Sequence, residues 1–238
     1  MLGTETSLIT HKMKIIIVLF SSFLLYACDN INSELPPPQD GGNFFYPKIG
    51  QSIVYDVEDT EYELTGKFTL KTYQLKEVNV STFKDLAGKE VLRIERYRRE
   101  KRVDKWIIDS IFTAKKEVDK ALKTENNVTY IKMFFPIKEG LKWNGNAYNS
   151  FGNDSYEMKK VNQLFQTNGR KFDNSVTIIQ QNDSTLVDLK RRMEVYAEGI
   201  GLIYREEIKV SYCNSKDCLG KGEIDFGTKH ILKFKSNE

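Results

Sequence analysis

Strict alternation of apolar and polar side chains narrows the fold of this chain more than any other feature. From Glu61 to Tyr73, the residues Tyr62, Leu64, Phe68 and Leu70 stand against Glu61, Glu63, Thr65, Lys67, Thr69 and Lys71. A period of two over that length predicts a strand with one buried and one wet face. Residues 89–99 and 103–114 repeat the pattern, with Trp106, Ile108 and Phe112 on one face and the charged join Glu100-Lys101-Arg102 marking a hairpin. Further strands are expected at 128–135, 156–165, 175–181 and 184–197. A last one over 223–235 would place Ile224, Phe226, His230, Leu232 and Phe234 on one side. Only 117–124 reads as helix, because Val118, Ala121 and Leu122 recur at i, i+3 and i+4. It spans two turns at most and would depend on packing. The fold class is therefore mainly β, with at most one or two short helices.

Ahead of these strands lies a segment of a different kind. Lys14 gives a short positive start, Ile15 to Ala27 form an apolar run, and small Ala27 precedes Cys28. The run is too short to cross about 30 Å of hydrocarbon, which marks it as the core of a signal peptide. Leu25-Tyr26-Ala27-Cys28 resembles the lipobox of bacterial lipoproteins, in which the cysteine is lipidated and becomes the first mature residue. Tyr26 is bulkier than the residue usual there, and a cleavable signal with an unmodified Cys28 is the other reading of the same residues. Expected boundaries are 1–27 for the signal, with Met13 as the start, 28–43 for a lipidated cysteine and tether, and 44–238 for one β-rich domain. The tether, Asp29 to Asn43, carries three prolines and two glycines and too few apolar side chains to fold. Fully extended, it would reach roughly 50 Å.

Three cysteines are present, and assigning Cys28 to lipid leaves Cys213 and Cys218. Four turn-forming residues lie between them, so a disulfide clamping a loop in an oxidising compartment is expected. Reduced thiols or half of a metal site are the alternatives, but only His230 remains as a further soft ligand. Lys12, Lys14 and Glu5 fall in the signal, which leaves 34 basic against 32 acidic residues. That balance argues against nucleic acid as a partner.

Two turns echo each other: Tyr46-Pro47-Lys48-Ile49-Gly50 and Phe135-Pro136-Ile137-Lys138-Glu139-Gly140, each leading into a new strand. They mark either two similar halves or two similar turns. Later, Tyr196-Ala197-Glu198-Gly199-Ile200-Gly201-Leu202 offers a tight turn, after which Leu202, Tyr204, Ile208, Val210 and Tyr212 share a face. A nucleotide-binding loop is excluded, since no helix follows and the third glycine is missing. With its proline–glycine turn near the start, the chain resembles a set of uncharacterised bacterial secreted lipoproteins that carry Tyr-Ala-x-Gly-(Val/Ile)-Gly-Leu near the end. The resemblance spans Phe44 to about Tyr212. It implies a strongly curved antiparallel sheet or half-open β-barrel, similar to those of lipoprotein-carrier proteins, and implies no activity.

Catalytic chemistry leaves little trace. His11 lies ahead of the cleaved segment, and His230 sits on an apolar strand face, where a histidine satisfied by one hydrogen bond is a better reading than a base. None of the common nucleophile or zinc motifs occurs. The acidic group Asp56, Glu58, Asp59, Glu61 and Glu63 lacks a calcium loop's spacing and reads as a solvated face. The basic run Arg93, Arg96, Arg98, Arg99, Lys101, Arg102 and Lys105 is interleaved with Glu95, Glu100 and Asp104. That suits a salt-bridged outer strand, with anionic lipid or glycan as the functional alternative. No catalytic, metal or cofactor residue is therefore expected. The expected function is a non-catalytic lipoprotein of the bacterial cell envelope, placed at the outer membrane. It would be held to the bilayer through Cys28 and would bind a hydrophobic ligand or an envelope protein. A glycan hydrolase with an unidentified carboxylate pair is the alternative, and two carboxyl groups roughly 5–10 Å apart in a cleft would favour it.

Overall fold

The computed structural model describes residues 40–45 and 48–238. Their fold is all-β: β1 (Ser52–Tyr62), β2 (Phe68–Lys84), β3 (Glu90–Arg99), β4 (Ile107–Lys116), β5 (Lys120–Glu125), β6 (Val128–Phe134), β7 (Lys142–Asn144), β8 (Ser155–Thr167), β9 (Arg170–Ser184), β10 (Asp188–Ala197), β11 (Gly201–Tyr212) and β12 (Ile224–Asn237). All pairings are antiparallel, in the order β6-β5-β4-β3-β2-β1-β12-β11-β10-β9-β8-β7. The chain thus makes two meanders of six strands, joined where β1 pairs β12 from Ile53↔Asn237 to Tyr62↔Gly227. The two strands left at the edges, β6 and β7, are consecutive in sequence and meet. The Ile131 amide donates to the Gly145 carbonyl at 2.9 Å, and the Trp143 indole donates to the Ile131 carbonyl at 2.9 Å. The sheet is a barrel left nearly closed along this one seam. Each meander is entered two residues after a left-handed glycine, Gly50 (φ 81°) and Gly140 (φ 78°).

Alternation sets the two faces. Tyr55, Val57, Leu75, Leu92, Ile94, Leu232 and Phe234 are buried in one core, while Asp56, Glu58, Gln74, Lys76, Arg93, Glu95, Lys233 and Lys235 occupy the intervening outward positions. Each large core side chain contributes about 1.5–3 kcal/mol of burial. A membrane-spanning barrel has the opposite arrangement, apolar outside and polar within. One end is stoppered by the first described residues: Phe44 and Phe45 are buried, Phe45 packs on Tyr196 with ring centroids 6.3 Å apart, and the Gly199 amide donates to the Asn43 carbonyl. Residues 41–43, expected to end the tether, therefore belong to this stopper.

Three local expectations are corrected. Residues 61–73 are not one strand but the end of β1, a turn at Gly66 (φ 74°) and the start of β2, and three of the side chains expected on the buried face are exposed: Leu64 76%, Phe68 62%, Leu70 52%. The stretch 117–124 is a turn followed by β5, and no helix occurs among the described residues. Ala121 and Lys123 alternate inward there, so a strand with a buried lysine had taken on a helical spacing. Trp106 precedes β4 instead of lying in it.

Candidate functional site

The inward faces of six strands converge on a group of charged side chains that crosses the lumen. Glu77 of β2 meets Arg96 of β3 at 2.6 Å and Lys123 of β5 at 3.1 Å. Lys123 reaches Glu125 at 3.2 Å, and Glu125 meets Lys132 of β6 and Arg205 of β11, both at 3.0 Å. Those two cations then hold Glu194 of β10, Lys132 at 2.9 Å and Arg205 at 2.7 Å. The Tyr196 hydroxyl donates to Glu194 at 2.7 Å, and the Tyr55 hydroxyl donates to the Leu202 carbonyl at 3.1 Å. Glu194 and Lys132 are the most deeply enclosed, with side chains 2% and 4% exposed.

Local sequence explains how each charge is aimed inward. Glu77, Arg96, Lys123 and Arg205 each sit two residues from a buried apolar neighbour on the same strand: Leu75, Ile94, Ala121 and Ile203. The β6 register shifts opposite Ala121/Leu122, and this irregularity turns Lys132 toward the lumen between buried Ile131 and Met133. Arg96 lies over the Phe112 ring at 4.4 Å, which supports its stem and its charge together.

Burial alone would raise these carboxyl groups, but the neighbouring cations outweigh it. Lys123 and Arg96 hold Glu77 down at about 2. Lys132 and Arg205 hold Glu194 well below the usual carboxylate range, and Arg205, Lys132 and Lys123 do the same for Glu125. Burial, together with the charge of Glu194, pushes the Tyr196 phenol up, so it stays a donor. Three ionised carboxylates thus face four cations. The Arg205 Nε is a buried donor without a partner.

Small spaces flank this charged layer. Toward the stopper is a cavity of about 70 Å³ lined by Phe45, Gln51, Tyr55, Glu77, Lys123 and Arg205. It has room for a few waters and none for a lipid chain. On the far side a polar recess of about 400 Å³ opens past Tyr130, Phe151, Gln180, Arg192 and Glu207. Glu125 and Glu194 share the Lys132 ammonium at 3.0 and 2.9 Å, which makes them the two carboxylates of the lumen to weigh as a glycosidase pair. Both are ionised, however, and a glycosidase needs one of the two protonated as its acid.

The residues singled out from sequence fall elsewhere. Cys28 lies outside the described residues. Cys213 and Cys218 face each other across the β11–β12 loop with Cα atoms 5.7 Å apart, the spacing a disulfide requires. His230 is one-third exposed and its Nδ1 meets Asp59. The acidic group is distributed: Asp56 accepts from Gln74 and Asn168, and Glu58 pairs with Lys233 at 2.7 Å. No metal-ligating cluster occurs among the described residues. Of the basic run, Arg93 pairs with Glu95 as a salt-bridged outer strand would have it, whereas Arg96 turns inward to Glu77 and Arg98, on the same face, lies over the buried Tyr73 ring and pairs with Glu100. Sequence reading singled out Arg96 and missed Glu77, Lys123, Glu125, Lys132, Glu194 and Arg205 as members of one site. The one available signal was a charge standing where the alternation called for an apolar residue.

No protein-family model and no curated protein matches the chain. Two solved structures are similar to it. One, from Bacteroides fragilis, is provisionally described as an exported protein with a YmcC-like fold; it shares 13% identity over 81% of this chain and 99% of its own, with a TM-score of 0.39. The other, from Parabacteroides distasonis, is provisionally described as a lipoprotein; it shares 11% identity over 81% of this chain and 98% of its own, with a TM-score of 0.30. Likenesses this distant carry no argument about activity.

Proposed function

We propose that this chain is a non-catalytic lipoprotein of the bacterial cell envelope, anchored through Cys28 at the outer membrane, whose barrel is a rigid body that meets its partner at the surface. The filled lumen carries this reading. Where a ligand carrier would keep an apolar hollow, this barrel keeps an ion network, a cavity of about 70 Å³ and a polar recess of about 400 Å³. A hydrophobic ligand would therefore have to bind outside the lumen, and an envelope protein or membrane is the better-suited partner. The same network weighs against the glycan hydrolase, since Lys132 and Arg205 keep both members of its carboxylate pair ionised. The address comes from the sequence alone.

Intact-mass analysis of the native protein tests the anchor. The expected mass corresponds to a chain starting at Cys28 and carrying acyl groups. An unmodified amino terminus ahead of residue 28 would overturn the reading. Three acyl chains, at about 0.8 kcal/mol per buried methylene, would make attachment effectively permanent.

A further inference from the structure

The exposed side of the β1–β4 hairpins carries several large apolar side chains on its outward face. Phe68 and Leu70, which face outward on β2, are 62% and 52% exposed; Ile108 and Ile111, which face outward on β4, are 54% and 48% exposed; and Val103 at the β3–β4 tip is 90% exposed. Register places them on one flank. Leu70 lies opposite Thr60 on the same strand face as Gln74, Gln74 lies opposite Arg99, and Ile108 lies opposite Tyr97 two residues from Arg99. They are spread along that flank, from Leu70 in the row of Thr60 to Ile108 in the row of Lys76 and Ile111 in the row of Val78, with Trp106 between them over Lys76 and Arg99.

Cations surround them and are held ready. The Trp106 ring carries the Arg99 guanidinium at 4.2 Å and the Lys76 ammonium at 4.8 Å. The Arg99 Nε donates to Gln74, and the rest of its guanidinium forms no ion pair among the described residues. Lys101, Arg102 and Lys105 likewise have no carboxylate partner among the described residues. The acids nearby are already engaged: Glu100 by Arg98, Asp104 by the Lys101 amide, and Asp109 by the Ser110 hydroxyl. Four cations are thus left over beside protruding aliphatic side chains and an indole, the residue type that settles at the boundary between headgroups and acyl chains.

We propose that this flank, from Phe68 and Leu70 of β2 across Trp106 to Ile108 and Ile111 of β4, docks on an anionic lipid bilayer. Arg99, Lys101, Arg102 and Lys105 meet the phosphates, while the apolar side chains enter the interface. The flank runs along the barrel wall from Phe68 at the β1–β2 turn to the row of Ile111, Glu95, Val78 and Ser52, beside the stoppered end where the tether joins. A chain leashed there, as the sequence predicts, can lie on its side against the membrane that holds it. Charge complementarity selects lipid over a protein partner, because the cations border scattered protruding side chains instead of rimming a groove.

The test uses the chain's two tryptophans. Trp143 is buried, 8% exposed, and Trp106 belongs to the flank. The native protein is mixed with vesicles of phosphatidylcholine alone or with about 30% phosphatidylglycerol, each carrying brominated acyl chains that quench indole on contact. Emission from Trp106 is expected to be quenched in anionic vesicles, and the quenching is expected to vanish in Trp106→Phe. The triple variant Lys101→Glu, Arg102→Glu, Lys105→Glu is expected to weaken it about tenfold or more in lipid concentration, as is a high-salt buffer. Unquenched Trp106 emission in anionic vesicles would overturn the proposal and leave the flank to a protein partner. Flotation with the vesicles reads the Cys28 anchor separately, so failure of the anchor and failure of the flank are distinct results.

Discussion

Glu194 is 2% exposed and carries a full negative charge, a combination tolerated only because Lys132, Arg205 and the Tyr196 hydroxyl all reach it. Taking that charge away leaves two buried cations to share Glu125. Glu194→Gln is therefore expected to lower unfolding stability by about 3–5 kcal/mol in urea titrations, whereas a paired Glu194→Gln, Lys132→Met change should recover much of it. Acid acts on the same groups. Glu77, Glu125 and Glu194 have folded values below their unfolded ones, so their stabilisation is full above about pH 4.5 and is lost as pH falls toward about 2, where Glu77 itself takes a proton. Thermal melts should show a plateau from neutral pH to about 5 and a steep fall below it. None of this was visible in the sequence, because the seven charges come from six strands and only the sheet order brings them together. Buried charges counted as polar positions also disguised β5: with Lys123 taken as outward, Val118, Ala121 and Leu122 looked like a helical face.

Strands were legible where alternation was uninterrupted, and the exception is instructive. Tyr62 and Phe68 lie opposite each other in the β1–β2 hairpin and are an even number of residues apart, so the period of two runs through the turn without a break. Gly66, free to adopt φ 74°, was the sole sign of the bend. Glycine is demanded even more firmly at Gly227 of β12, where φ is 129° and a Cβ would collide with the Lys209 carbonyl of β11. Gly227→Ala is expected to cost at least about 2 kcal/mol and to loosen the β11–β12 pairing, read as faster amide exchange over Val210 and Ser211. At the seam, Trp143 Nε1 satisfies the Ile131 carbonyl. Trp143→Phe should cost about 1–3 kcal/mol and should raise exchange in β6 well before β1 or β12 is affected.

On the scale of the molecule, two six-stranded meanders close into a barrel that departs from expectation twice: charges inside, where they tie opposite walls together, and large apolar side chains exposed outside. The echo between the turns at Gly50 and Gly140 corresponds to the start of each meander, but the pairing of β1 with β12 joins residues at opposite ends of the domain and could not be read from either turn. The claim on which the rest depends is that the lumen holds a structural ion network, ionised at neutral pH, in place of an apolar hollow. Carboxyl-carbon NMR of Glu125 and Glu194, followed from neutral pH down to about 3, measures this directly. Both resonances should stay at their ionised positions across the range. A midpoint above about pH 5 for either one would contradict the account and supply the acid that the hydrolase reading needs.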